Sequence, residues 1–268
     1  MKPLQSPALA LTWLADSIKP LRLRPVAYTG IVVFSLLISG ILSSFPFIGT
    51  LLSGIWLSFA SVFMGFAARD TLAGRTPSYM TLLAILKDKT SYQPLLFLGL
   101  LSSVGMELVV LVFDLLGKES ITKWHISSSG IDPSAVIANI PWLAIGVALL
   151  LYVPLLCMTL FAPLLIVDKR QTVLKSLFYS FFGILRSFVP ALLWLFGLGL
   201  LSGLILASFE WLFSTLKAPR FLTFVAPLMV AIVSAACQAG IWAMYRDIFA
   251  GNSPDGRVPH DLKDHRHF

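Results

Sequence analysis

One acidic residue interrupts a long apolar stretch of this sequence. Glu107 lies about midway along a segment that runs from about residue 94 to residue 116 and is otherwise strongly apolar. A carboxylate inside a bilayer costs roughly 2.5–3.5 kcal/mol on insertion scales. Glu107 is therefore a candidate proton- or cation-binding group in a translocation path. The alternative is a protonated or hydrogen-bonded carboxylate that packs against another helix, and the sequence leaves both open.

Two Arg–Asp pairs form a second set of candidates. Arg69-Asp70 and Arg246-Asp247 each follow an apolar run, and Asp168 ends a third run. The pairs could form ion pairs within or between repeated units at the membrane boundary. Alternatively, the arginines only mark the inner membrane surface, and the aspartates support the turn that follows. The sequence does not decide between these two interpretations.

The sequence lacks the patterns typical of catalytic, cofactor or metal sites. Cys157 and Cys237 fall inside apolar runs and are expected to be small packing residues. We find no H-E-x-x-H zinc motif, Walker loop, G-x-S-x-G elbow or dinucleotide fingerprint. We therefore expect no cofactor, no metal site and no enzymatic activity. The four histidines are expected in loops or in the C-terminal tail: His125, His260, His265 and His267.

Composition and hydropathy predict an all-α polytopic membrane protein that forms a single domain. Hydrophobic residues make up 57% of the 268-residue chain and charged residues 12%, against roughly 25% charged in a typical soluble domain. Apolar runs of about twenty residues are typical of membrane spans. Pro154 and Pro163 predict a kink in the fourth run. Six spans are predicted at about residues 26–44, 47–68, 94–116, 140–167, 188–213 and 221–245.

The distribution of cations predicts the orientation of the spans. Sixteen of the twenty Lys and Arg residues fall in segments 1–25, 69–93, 168–187 and 246–268. The positive-inside rule places these segments, and both termini, in the cytoplasm. A basic inner surface suits anionic lipid headgroups, so we expect membrane lipids as partners, with other membrane proteins as a second class of partner. Nucleic acid is not expected, because the chain has no basic, aromatic-rich soluble domain.

The chain also contains an internal repeat. Residues 69–77 and 246–254 share the pattern R-D-x-x-A-G-x-[ST]-P, each after the second span of a hairpin. Short segments at about 7–21, 77–89 and 172–187 precede the three hairpins, and Pro25, Pro94 and Pro190 open the spans that follow. We therefore predict three units in the same orientation, each an interfacial amphipathic helix followed by a transmembrane hairpin.

The third interfacial segment has the clearest amphipathic pattern. Its polar residues recur at three- and four-residue steps and form one stripe on an otherwise apolar helix. This pattern predicts that Ser176 and Ser180 face water, whereas Leu177 and Phe181 are protected. The stripe consists of Thr172, Lys175, Ser176, Tyr179, Ser180, Gly183 and Arg186.

Several short stretches resemble one membrane-protein family. The stretch from Phe161 to Asp168 (F-A-P-L-L-I-V-D), with Leu174-Lys175-Ser176-Leu177 after it, resembles a pattern in uncharacterised bacterial six-span inner-membrane proteins. In those proteins an in-plane helix begins with A-L-x-x-S; this chain has Thr172 and Val173 at the first two positions and matches strictly at Ser176. Trp13 and residues 245–249 also look like that family. More distantly, the chain resembles the membrane domain fused to some glycerophosphodiester phosphodiesterases, whose catalytic domain is missing here.

Two functional hypotheses follow from these observations. The first, which the absence of catalytic motifs and the three in-plane helices favour, is a non-enzymatic accessory, assembly or envelope-homeostasis factor of the bacterial inner membrane that binds lipids or membrane proteins. The second is a small transporter or channel that uses Glu107, the kinked fourth span and the repeated units. The discriminating observation is whether Glu107 lines a continuous hydrated cavity or packs between helices.

Overall fold

The computed structural model of the chain describes residues 6–46, 48–124, 126–127, 130–131, 133–215 and 220–249. These residues are helical apart from turns and one antiparallel pair of two-residue strands, Ile126–Ser127 (β1) and Gly130–Ile131 (β2). The helices are α1 (Ala8–Leu23), α2 (Pro25–Ser43), α3 (Gly49–Leu72), α4 (Met80–Lys87), α5 (Lys89–Thr122), α6 (Pro133–Ala138), α7 (Trp142–Thr159), α8 (Ala162–Lys169), α9 (Val173–Arg186), α10 (Phe188–Thr215) and α11 (Arg220–Phe249).

The six predicted spans are confirmed. Helices α2, α3, α5, α10 and α11, together with the α7–α8 pair, are long and apolar enough to cross a membrane. They form three hairpins: α2–α3, α5 with α7–α8, and α10–α11. The short helices α1, α4 and α9 precede these hairpins, as predicted. Their position at the membrane surface remains a prediction.

Short-range signals set the boundaries of several spans. Pro25 occupies the first turn of α2, where its missing N–H would be unpaired anyway. Asp88 caps α5 by accepting a hydrogen bond from the Thr90 amide at 3.0 Å. The Thr90 hydroxyl also donates to Asp88, and this bond is the main reason why the pKa of Asp88 lies below its usual value. The α5 span therefore has a fixed starting point. It lies at the end of the bundle that carries most of the cations, which we call the basic end; these include Arg69, Lys87, Lys89, Lys169 and Arg246.

Helices α3, α8 and α11 contact one another at the centre of the molecule. A Cβ atom added to Gly65 of α3 would lie 2.9 Å from Leu164 Cδ2 of α8 and 3.7 Å from Trp242 of α11. Trp242 also packs edge-on against Phe66 of α3, with ring centroids 6.1 Å apart. Helices α3, α8 and α11 thus meet at one level and form an inner bundle, whereas most of α7 is exposed.

The short helices close this arrangement into a ring. Helix α4 packs on α3 and α9 on α8, so each lies against the inner helix of the preceding unit. Helix α1, which precedes the first hairpin, packs on α11, the inner helix of the third unit. The first and last helices of the described residues are therefore in direct contact.

Gly240 allows α1, α10 and α11 to approach one another closely. A Cβ atom on this residue would clash with the Trp194 indole of α10 and the Ser17 hydroxyl of α1. Those two groups are hydrogen-bonded, with Trp194 Nε1 donating to Ser17 Oγ at 2.9 Å. A glycine at this position lets a buried polar contact form against the backbone of α11.

The fourth span is interrupted, as its prolines predict. Helix α7 ends at Thr159 and α8 begins at Ala162. In a continuous helix the Phe161 amide would donate to the Cys157 carbonyl. Here the Ser180 hydroxyl of α9 lies between them, accepting from Phe161 N at 3.0 Å and donating to Cys157 O at 2.7 Å. A side chain inserted into the backbone ladder is a recognised cause of a helix kink.

Candidate functional site: a cavity between the inner helices and a polar network at the basic end

Arg246 and Asp247 connect α11 to α1. Arg246 Nη2 donates to Asp16 Oδ2 at 3.0 Å, and Arg246 Nε donates to Asp247 Oδ1 at 2.9 Å. The fully buried Trp13 donates its indole N–H to Asp247 Oδ2 at 2.9 Å. The Arg–Asp pair thus forms both an internal ion pair and a bond between the first and third units.

The equivalent residues of the other units have different partners. Arg69 and Arg75 both contact Asp70 Oδ1, at 3.2 and 2.7 Å, so this pair stays within the first unit. Asp168 accepts a hydrogen bond from the Tyr245 hydroxyl at 2.6 Å, which joins α8 to α11. The structure therefore brings Asp168, Arg246 and Asp247 to one end of the bundle, close to the contact between the inner helices.

The prediction that Ser176 and Ser180 face water is wrong. Both side chains are fully buried, and Gly183 on the same face is buried too. The opposite face of α9 is exposed: the exposed fractions of Leu174, Phe178 and Phe182 are 77%, 59% and 50%. The physical reason is that small polar residues allow close helix contact and hydrogen bonds inside a membrane protein, whereas large apolar residues suit lipid.

Glu107 lines a cavity of about 570 Å³ between α2, α3, α5, α7–α8 and α11. Gly54 lies against Ser103 and Gly99 against Ile55, so antiparallel α3 and α5 are in a defined register. Continuing this register places Glu107 level with the first turn of α3, next to Thr50. Glu107 therefore lies at one end of the cavity, which we call the mouth.

Four helices supply polar side chains to the mouth: Ser39, Thr50, Ser53, Glu107 and Tyr152. Glu107 and Thr50 are exposed, and Ser39, Ser53 and Tyr152 are half-buried. Among the described residues that line the cavity, Glu107 is the one with a charged side chain. The mouth is therefore negatively charged when Glu107 is ionised.

The cavity extends from the mouth along α3. Its lining residues on this helix run from Thr50 to Gly65, which corresponds to about 22 Å at the usual helical rise. The far end, which we call the floor, is formed by Gly65, Pro163, Leu164 and Ile241. Gly65, Pro163 and Leu164 are buried, so the cavity ends toward the basic end of the bundle.

Most hydroxyl groups in the wall already donate to their own helix. Ser61 donates to the Ser58 carbonyl at 3.0 Å, Ser103 to Gly99 at 2.8 Å and Thr159 to Leu155 at 2.9 Å. Each hydroxyl oxygen retains acceptor capacity. The wall therefore offers acceptors to a bound molecule and is suited to a ligand that carries donors or a positive charge.

Sequence reasoning found Glu107 but missed the rest of the cavity. A signal was present, because small and hydroxyl-bearing residues recur at three- and four-residue steps along α3 at Thr50, Ser53, Gly54, Ser58, Ser61 and Gly65. Such a stripe is typical of a helix–helix contact as much as of a cavity wall. Tyr152 and Gln238 carried no comparable pattern.

The remaining expectations concern metals and histidines. Within the described part of the chain, no group of three or more His, Cys, Asp or Glu side chains is arranged to hold a metal ion. The four histidines, His125, His260, His265 and His267, lie outside the described residues, as does the end of the second repeat from residue 250 onward.

Comparisons with known proteins do not supply a family. No protein-family model, curated protein or solved structure matches this chain. The resemblance to bacterial six-span proteins therefore remains a prediction.

Proposed function

We propose that the protein is a small transporter that binds a cationic or donor-rich small molecule in the cavity at Glu107. The observation that carries this proposal is the position of this carboxylate at the mouth of a cavity in which five of the nine wall hydroxyls donate to their own helix and leave their oxygens free to accept. The volume of about 570 Å³ is within the range of small-molecule sites, roughly 300–1,000 Å³. Aliphatic residues such as Leu57, Met106 and Leu155 would contact an apolar part of the ligand.

The proposal is tested by measuring cation uptake before and after the charge of Glu107 is removed. In proteoliposomes supplied with radiolabelled methylammonium or tetraethylammonium, we expect saturable uptake by the wild-type protein. Glu107→Gln keeps the size of the side chain and removes its charge, so the initial rate should fall at least about tenfold, since hydrogen bonds to charged groups contribute roughly 1.5–3 kcal/mol. Folding should be unaffected, because a neutral amide avoids the cost of placing a carboxylate in the membrane.

Glu210→Gln is the matched control for this experiment. Glu210 is an exposed carboxylate of α10 that does not line the cavity. Its substitution should leave uptake unchanged. Equal rates for Glu107→Gln and wild type, at equal protein level and thermal stability, would contradict a transport role for Glu107.

A second candidate is an accessory or envelope-homeostasis factor that binds anionic lipids or other membrane proteins. It is favoured by α9, whose exposed face combines Leu174 and Phe178 with the exposed Lys175 and Arg186. Each cation near an anionic surface gains on the order of 1 kcal/mol. If Glu107→Gln leaves uptake and binding unchanged, this candidate becomes the better one.

Both candidate functions depend on which membrane holds the protein and on which side its termini lie. We propose that it lies in the bacterial inner membrane with both termini in the cytoplasm. Topology reporters fused after residues 80, 180 and 268 should give cytoplasmic signals, and fusions at 128 and 218 should report the opposite side. The bias of Lys and Arg toward one end of the spans is the physical reason. A cytoplasmic signal at residue 128 would contradict this topology.

A further inference from the structure

Helices α3, α7 and α11 carry polar side chains at equivalent positions deep in the cavity. Asp70, Asp168 and Asp247 lie within the last three residues of α3, α8 and α11. Nine residues before each aspartate stand Ser61, Thr159 and Gln238, and all three line the cavity. The contact of Gly65 with Leu164 and Trp242 supports this register, because it places these turns of the three helices at one level.

These three residues, which we call the inner ring, present oxygen acceptors and no charge. The hydroxyl protons of Ser61 and Thr159 are donated to carbonyls of their own helices. The Thr159 carbonyl lacks its usual helical donor, because the residue four positions later is Pro163, which has no N–H. No described residue hydrogen-bonds the Gln238 amide, which leaves its Oε1 atom available.

Neutral oxygen atoms at an interrupted helix are suited to a monovalent cation. Free carbonyls at the end of a half-helix coordinate ions in membrane proteins, and hydroxyl and amide oxygens complete such sites. A divalent cation would need carboxylates, which the inner ring lacks. The ring lies eleven residues beyond Thr50 along α3, about 16 Å from the mouth, so it is separate from Glu107.

We propose that the inner ring of Ser61, Thr159 and Gln238 binds a dehydrated monovalent cation, either an alkali ion or the ammonium group of an amine. This inference builds on the proposed function, in which a cation enters past Glu107. The ring is the second position along the same cavity and determines which cations are accepted.

Thermal unfolding of the purified protein tests this site without a transport assay. Chlorides of sodium, potassium, ammonium and methylammonium are compared with N-methyl-D-glucamine chloride at the same ionic strength. At a saturating concentration, about 100-fold above Kd, we expect at least one small cation to raise Tm by about 5–10 °C. Stabilisation by sodium or potassium indicates an inorganic ion, and stabilisation by methylammonium indicates an amine.

Two nearly isosteric variants remove ring oxygens. Thr159→Val and Gln238→Leu should each reduce the cation-dependent rise in Tm, and the double variant should abolish it, while Tm in N-methyl-D-glucamine stays close to wild type. Ser202→Ala is the control, because Ser202 also donates to its own helix, at Leu198, but lies outside the cavity. An absent cation effect in the wild type, or an undiminished effect in the double variant, would overturn the proposal.

Glu107→Gln separates this inference from the proposed function. If the cation still stabilises Glu107→Gln but not the ring variants, the ring is the cation site whatever the uptake assay shows. If Glu107→Gln abolishes uptake while the double ring variant keeps its cation response, transport stands and the ring assignment is wrong.

Discussion

Trp13→Ala should lower the free energy of unfolding by about 3–5 kcal/mol, the usual cost of removing a large buried aromatic side chain. Trp13 is fully buried, and its indole N–H donates a hydrogen bond to the Asp247 carboxylate of α11. The variant therefore combines a cavity with a carboxylate that loses one of its donors. Thermal unfolding monitored with a thiol-reactive dye should show a fall in Tm on the order of 10 °C, since Cys157 and Cys237 report the opening of the fourth and sixth spans.

Trp142→Ala is the control for this substitution. Trp142 is 72% exposed at the start of α7, so its removal should change the free energy of unfolding by less than about 1 kcal/mol. Similar losses for the two variants would mean that α1 is not an integral part of the bundle.

Arg246→Ala should have the next largest effect, a loss of about 2–3 kcal/mol. Removing one partner of a buried ion pair costs about 3–5 kcal/mol, and the lower value applies because 30% of the Arg246 side chain is exposed. The substitution leaves Asp16 without its ion-pair partner and Asp247 with Trp13 alone. The same dye-based melting assay measures the loss.

The first unit provides a matched comparison for Arg246. Arg75 also contacts an aspartate, Asp70, at 2.7 Å, but its side chain is 61% exposed and Asp70 retains Arg69. Arg75→Ala should therefore cost less than about 1 kcal/mol. If Arg75→Ala proves as destabilising as Arg246→Ala, the link between α1 and α11 is not what makes Arg246 important.

The six spans and three hairpins could be predicted from the length of the apolar runs, and the interruption of the fourth span from its prolines. Both features can be read directly from the sequence. The repeated Arg–Asp pattern also indicated equivalent helix ends. It did not reveal that Arg246 reaches Asp16, because that contact depends on α1 packing against α11, 230 residues later in the chain.

The inward-facing sides of the helices could not be predicted in the same way. A soluble helix turns its polar stripe toward water, and that rule led to the incorrect placement of Ser176 and Ser180. In lipid the preference is reversed for small polar residues, because they allow close helix contact. Ser180 also bonds to the backbone of the fourth span, whereas Ser176 Oγ has no hydrogen-bond partner among the described residues. The same reversal explains why the serines of α3 line a cavity instead of marking a surface.

Contact between α1 and α11 also has a consequence for biosynthesis. Trp13 leaves the ribosome 234 residues before its partner Asp247, which at about 5–20 residues per second corresponds to a delay of roughly 10–50 s. During this interval α1 is already synthesised but lacks α11, its main docking surface, and the hairpins can enter the bilayer one at a time. A nascent chain that terminates before α11 would leave Trp13 and Asp16 of α1 without their partners on α11, and so be recognisable to membrane proteases as incomplete.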